Sequence, residues 1–184
     1  FTALLLGELL AEAGLPDGLF QVLPGSGAEL GPALVAGVDH LMFTGSTATG
    51  RQLAIACAER LIGFSGELGG KNPLLVLEDA DLATAAAGTV HGAFSNTGQV
   101  CVGIERAYVH TDVYDEFVER LVARVGALRL GVGYDWNLDV GSLSSSKQLR
   151  GVTAHVDDAV ARGATVLAGG RARPDLGPYC YEPT

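Results

Sequence analysis

Along the first fifteen positions apolar residues recur at helical spacing. Leu5, Leu6, Leu9, Leu10 and Ala13 fall on one stripe, and Gly14 with Pro16 closes the run. The pattern predicts an amphipathic helix over Thr2 to Leu15. Leu19 to Leu23 is a short apolar run that reads as a buried strand, and Pro24-Gly25-Ser26-Gly27 turns the chain into a second helix, Ala28 to Ala36. His40 to Thr44 is a second short apolar strand, Gly45 to Gly50 a glycine-bounded turn, and Arg51 to Leu61 a third helix. Helix, strand, helix, strand, helix is the rhythm of a parallel sheet with helices on its faces.

After Gly63 the rhythm changes. The strand-like runs Ile62 to Leu68 and Pro73 to Leu77 flank Gly69-Gly70-Lys71, where a domain boundary is expected. Asp79 to Asp81 caps a helix running from Leu82 to about Asn96. Ala107 to His110 reads as a strand. Asp112 to Leu128 is an amphipathic helix with Val113, Phe117, Leu121 and Val125 on one face. A further helix is predicted over Ser144 to Arg162, then strands over Thr165 to Ala168 and around Tyr179-Cys180-Tyr181.

Composition narrows the class. With 48% hydrophobic and 18% charged residues the chain should fold as a globular protein. A net charge of -9 argues against nucleic acid or an anionic membrane surface as partner. Three cysteines, Cys57, Cys101 and Cys180, are an odd number without C-x-x-C spacing, and the four histidines lack ligand spacing. A disulfide framework or a zinc site is therefore not expected, and a reducing cytoplasm fits better. No apolar run is long enough for a membrane span.

Three segments carry candidate chemistry. A strand running through Gly45-Ser46-Thr47-Ala48-Thr49-Gly50 into a helix offers unpaired N–H groups, a favourable dipole and close backbone approach, as a phosphate requires. It is neither G-x-G-x-x-G nor a P-loop, since Arg51 stands where the P-loop has Lys. An ordinary helix cap explains these residues at least as well. Glu67, at the end of an apolar strand beside Gly69 and Gly70, is placed where partial desolvation would suit a general base. A turn in which Glu67 pairs with Lys71 is the competing explanation. Cys101 follows Asn96, Thr97 and Gln99 in a polar loop, the setting of a reactive thiolate, whereas Cys57 sits among Ala and Ile and Cys180 between tyrosines, like core thiols.

Taken in order, these segments resemble the aldehyde dehydrogenase superfamily. Phe43-Thr44-Gly45-Ser46-Thr47 is similar to its cofactor-binding turn and Glu67-Leu68-Gly69-Gly70-Lys71-Asn72-Pro73 to its glutamate signature. Asn96-Thr97-Gly98-Gln99-Val100-Cys101, with Arg106 beyond, is similar to its cysteine signature. The separation of Glu67 from Cys101, 101 − 67 = 34 residues, is the family's. The resemblance implies an α/β fold made of parts of two Rossmann-like parallel-sheet domains, cofactor-binding over 1–69 and catalytic over 70–184. It implies that the chain is an interior piece: the oxyanion Asn and the ribose-binding residues would lie upstream of Phe1, and the nicotinamide-ribose clamp downstream of Thr184.

It also implies the roles. Cys101 attacks an aldehyde to give a thiohemiacetal, hydride passes to NAD or NADP, and Glu67 activates the water that hydrolyses the resulting thioester. Gly45, Ser46, Thr49, Gly50, Gly27 and Leu68 would contact the cofactor, and no metal is implied. Asn96 reads as loop-structuring, since the family's oxyanion Asn comes from another segment. The parent enzyme would be a homodimer or homotetramer acting on a small-molecule aldehyde. Phe43 to Arg51, Ala58 to Gly63 and Val102 to Arg106 are most similar to actinobacterial-type succinate-semialdehyde dehydrogenases. Ser95, however, stands where better-known members hold an Arg for the substrate carboxylate, and Gly66 replaces a larger apolar residue directly before the base. Two other readings stay open: a Cys/Glu/Lys amide or nitrile hydrolase using Cys101, Glu67 and Lys71, and an inactive piece.

Overall fold

A computed structural model describes residues 1–134 and 136–184 and divides the chain into two compact units, Phe1–Gly69 and Gly70–Thr184. The first unit contains α1 (Thr2–Glu12), α2 (Gly27–Gly37), β1 (His40–Gly45), α3 (Thr47–Glu59) and β2 (Gly63–Leu68). Strands β1 and β2 pair in parallel from His40↔Gly63 to Gly45↔Leu68, with α3 as their crossover. Ser26 caps α2 by accepting the Glu29 N–H, and the Arg60 guanidinium donates to the carbonyls of Val35 and Val38, tying the end of α3 to the end of α2. Leu61 ends α3 in the left-handed region (φ 56°), so that Ile62 N–H can reach the Cys57 carbonyl at 3.1 Å. Val35 on α2 and Cys57 on α3 are buried.

The second unit contains β3 (Asn72–Val76), α4 (Leu82–Phe94), β4 (Ile104–Val109), α5 (Tyr114–Gly126) and α6 (Ser146–Ala161). Strands β3 and β4 are again parallel, joined through α4, whose N-terminus Asp81 caps by accepting from Ala83 and Thr84 N–H. Pro73 has no N–H for the ladder, and there the register slips by one residue: Asn72 pairs with Ile104 but Pro73 with Arg106, leaving Glu105 as a bulge. The core gathers Val76, Ala86 and Phe117, flanked by Leu74, Val109 and Leu121. Helix α5 turns Phe117 and Val125 inward, while Glu116 and Arg120 pair on its outer face at 2.7 Å. In the tail Glu182 accepts from Arg171 and Arg173, and Ala172 and Tyr181 form an antiparallel bridge.

Helix and strand periods place these elements within a few residues, with three corrections. Leu19 to Leu23 and Thr165 to Ala168 are not strands, because neither run has a ladder partner, and Leu19, Val166 and Leu167 are exposed. Around Cys180 the expected strand shrinks to the single bridge at Tyr181. Apolar composition made these segments look like strands; only a neighbour supplies the hydrogen bonds that make one.

Candidate active site

In the first unit the parallel register sets two of the singled-out segments side by side: Thr44 pairs with Glu67 and Gly45 with Leu68. Helix α3 begins sooner than its periodicity suggests, at Thr47, with Ser46 as its cap. Ser46 Oγ accepts the Thr49 N–H at 3.2 Å and donates to Thr49 Oγ1 at 2.9 Å. The N–H groups of Thr47 and Ala48 belong to the first helical turn and have no carbonyl within the helix to reach, which is the kind of donor an anion can use. Gly50 is buried, and a Cβ there would stand 2.6 Å from Leu68 Cδ2, so glycine lets α3 lie close on β2. Gly27 and Thr49 line the same groove between α2 and α3, about 780 Å³ in volume, with Gly31, Val35 and Leu53. A helix N-terminus beside an apolar groove is a donor set that fits the phosphate and the flat base of a dinucleotide.

Glu67 is exposed in this chain rather than partly desolvated, because it stands one residue before the end of β2, where Gly69 and Gly70 follow Leu68 and bring no side chain to cover it. Lys71 does not serve as its partner, since it pairs with Glu105 at 2.5 Å. The space left by Gly66 is covered by the Phe64 ring, whose Cε1 lies 2.9 Å from where a Cβ would stand.

Cys101, in the second unit, is the exposed thiol, while Cys180 in the same unit and Cys57 in the first are buried. Burial pushes the Cys180 thiol above its ordinary range, which keeps it protonated and inert. The loop before Cys101 passes through three consecutive left-handed residues, Asn96 (φ 51°), Thr97 (φ 61°) and Gly98 (φ 69°). Two of the three are not glycine, a costly conformation that persists only where neighbours hold it. They do so here. Asn96 Nδ2 donates to the Gln99 carbonyl at 3.0 Å, Thr97 Oγ1 accepts the Gly141 N–H at 3.1 Å, and Gln99 Oε1 accepts the Ser144 N–H at 3.2 Å. Asn72 Nδ2 donates to the carbonyls of both Cys101 and Gly103, each at 2.9 Å. Ser95 is turned back on α4, donating to the His91 carbonyl at 2.5 Å.

Sequence reading missed the partners of Thr97 and Gln99, which lie more than forty residues away, and the clasp made by Asn72. Only an Asn before a strand-initial Pro hinted at the last. Glu78, His110 and Asp112 bring ligand-type atoms within 4.8 Å of one another, but all three are exposed, and His110 Nδ1 is turned to the Asp112 N–H as a turn cap. Among the described residues no helix is long and apolar enough to cross a membrane.

Each of the two units is thus built on a parallel strand pair with a crossover helix, one with a capped helix start beside an apolar groove and the other with a buttressed, exposed thiol. The aldehyde dehydrogenase family model matches residues 1–184, and the chain belongs to that family. It is 56% identical over 177 residues to a Mycolicibacterium smegmatis protein provisionally named succinate-semialdehyde dehydrogenase (NADP+), covering 96% of this chain and 34% of that protein. It superposes with a TM-score of 0.96 at 34% identity on an NAD-dependent aldehyde dehydrogenase from Sinorhizobium meliloti, covering 99% of this chain and 37% of that one. With the succinate-semialdehyde dehydrogenase from Burkholderia pseudomallei the TM-score is 0.92 at 36% identity, over 96% and 37% of the two chains. The chain spans about a third of the length of the curated relatives it matches.

Proposed function

We propose that this chain carries the nucleophile, the general base and part of the dinucleotide site of an NAD(P)-dependent aldehyde dehydrogenase whose substrate is succinate semialdehyde. Residues 1–69 belong to its cofactor-binding domain and residues 70–184 to its catalytic domain, in a homodimeric or homotetrameric parent. The observation that carries the reading is Cys101: of three thiols it alone is exposed, at the end of a strained loop braced on several sides. Structural cysteines are buried; a thiolate that must meet a carbonyl carbon is not.

Cys101 Sγ adds to the aldehyde carbon, and the sulfur then holds the acyl group as a thioester. A nicotinamide dinucleotide, when bound, supplies the hydride acceptor for that oxidation. The Ser46 hydroxyl and the Thr47 and Ala48 N–H groups would hold its phosphates, Gly27 and Thr49 its base, and Gly45, Gly50 and Leu68, where α3 closes on the strand ends, would border it. Glu67, open to water, takes a proton from the water that attacks the thioester, and the carboxylic acid leaves. The names of the relatives favour NADP and the four-carbon semialdehyde. Ser95, bonded to the α4 backbone, offers no charge for the far carboxylate, so a cation elsewhere must bind it.

In the complete protein Cys101→Ser should reduce aldehyde-dependent NAD(P)H production by at least a thousandfold, measured as kcat at saturating cofactor. Wild-type turnover in that variant would refute the assignment. A kcat/KM for succinate semialdehyde no better than for butyraldehyde would remove the substrate while leaving the reaction.

A further inference from the structure

We infer that Asn72 is a positioning residue for the nucleophile: its carboxamide spans the Cys101 turn and sets the direction in which the thiol is presented. The inference rests on the reading of Cys101 as nucleophile.

A primary amide has two N–H donors diverging from one nitrogen, and Asn72 Nδ2 spends both on one turn, on the carbonyls of Cys101 and Gly103 at 2.9 Å each. Fixing these two carbonyls fixes the peptide plane that follows Cys101 and the one that follows Gly103, and the first of them constrains the Cα–Cβ direction at Cys101. Asn72 is suited to the task because it is itself anchored. It pairs with Ile104 at the first rung of the β3–β4 ladder, one residue before the rigid Pro73 and next to the bulge at Glu105. Lys71, the preceding residue, grips that same Glu105 at 2.5 Å. The clasp has little slack on the far side, because Gly103 N–H returns to the Val100 carbonyl at 3.1 Å and a Cβ on Gly103 would stand 3.2 Å from that oxygen. The turn is thus held at both ends, while the Cys101 side chain between them is exposed. An exposed thiol needs this more than a buried one, since packing does not choose its rotamer, and a displacement of about 1 Å can cost about a hundredfold in rate.

The test uses Asn72→Asp, which keeps size and removes the donors, and Asn72→Ser, which keeps one, both in the complete protein. For Asn72→Asp we expect kcat to fall ten- to a hundredfold with KM changed less than threefold, and the rate of Cys101 alkylation by iodoacetamide, followed against pH, to change at least threefold. Asn72→Ser should recover part of kcat. A purely structural role would instead lower the melting temperature and the yield while leaving kcat per folded enzyme and the alkylation profile unmoved, and that result overturns the inference. If Asn72→Asp fails to fold, Asn72→Ser decides alone by the same two readouts. Activity retained in Cys101→Ser would sink the assignment of the nucleophile, whereas the alkylation profile still reports whether Asn72 governs the presentation of the thiol.

Discussion

Cys57 and Cys101 carry the same thiol into opposite surroundings, and the difference is set by a few polar neighbours. Cys57 is fully buried on α3 between alanines; Cys101 ends a run of Asn, Thr, Gly and Gln whose side chains bind backbone rather than pack. That contrast was visible in the residue order, because Asn and Thr compete for backbone hydrogen bonds wherever they cluster. The strain was not. Gly98 at φ 69° would place a Cβ 3.1 Å from the Ala93 carbonyl oxygen, so alanine there meets both an unfavourable backbone angle and a fixed neighbour. Gly98→Ala should destabilise the fold by about 1–2 kcal/mol, read as a lower urea midpoint with an unchanged slope. An unchanged midpoint would mean the loop relaxes freely and stores no strain.

At the scale of elements, amphipathic period located α5 well, and the structure shows why that helix matters. Phe117 is its deepest side chain and closes the core made by β3 and α4 through Val76 and Ala86. Phe117→Ala should cost about 3–5 kcal/mol, measured by chemical denaturation of the complete protein; a loss below 1 kcal/mol would show that the core collapses around the gap. Elements whose existence depends on a neighbour were read less well. Leu19 to Leu23 and Thr165 to Ala168 have the composition of strands and no ladder, whereas α2, α3 and α4 carry Ser26, Ser46 and Asp81 as caps that the chain announces locally. Glu67 belongs with the former group: its place at a strand end was legible, its exposure was not.

Over the whole chain the accessible surface is 12770 Å², against about 8,300 Å² for a folded monomer of 18.9 kDa. Much of the excess is apolar, with Leu5, Leu6 and Leu9 on α1 and Val166 and Leu167 beyond α6 all exposed. As an isolated 184-residue polypeptide the chain should therefore bind the dye ANS, self-associate in sedimentation velocity, and give no aldehyde-dependent NAD(P)H production. A sharp, dye-silent monomer that turns over aldehyde would contradict this.

The sequence by itself determined the α/β rhythm, the helix caps, the family and the three segments with chemical character, because periodicity, capping and short motifs are local and each residue reports on its own neighbours. Tertiary structure alone decided that Gly45 meets Leu68 and Thr44 meets Glu67, that Lys71 takes Glu105, and that Asn72 clasps the turn of Cys101. Those pairings join residues more than twenty positions apart. Register and side-chain reach exist only once the backbone has closed the distance.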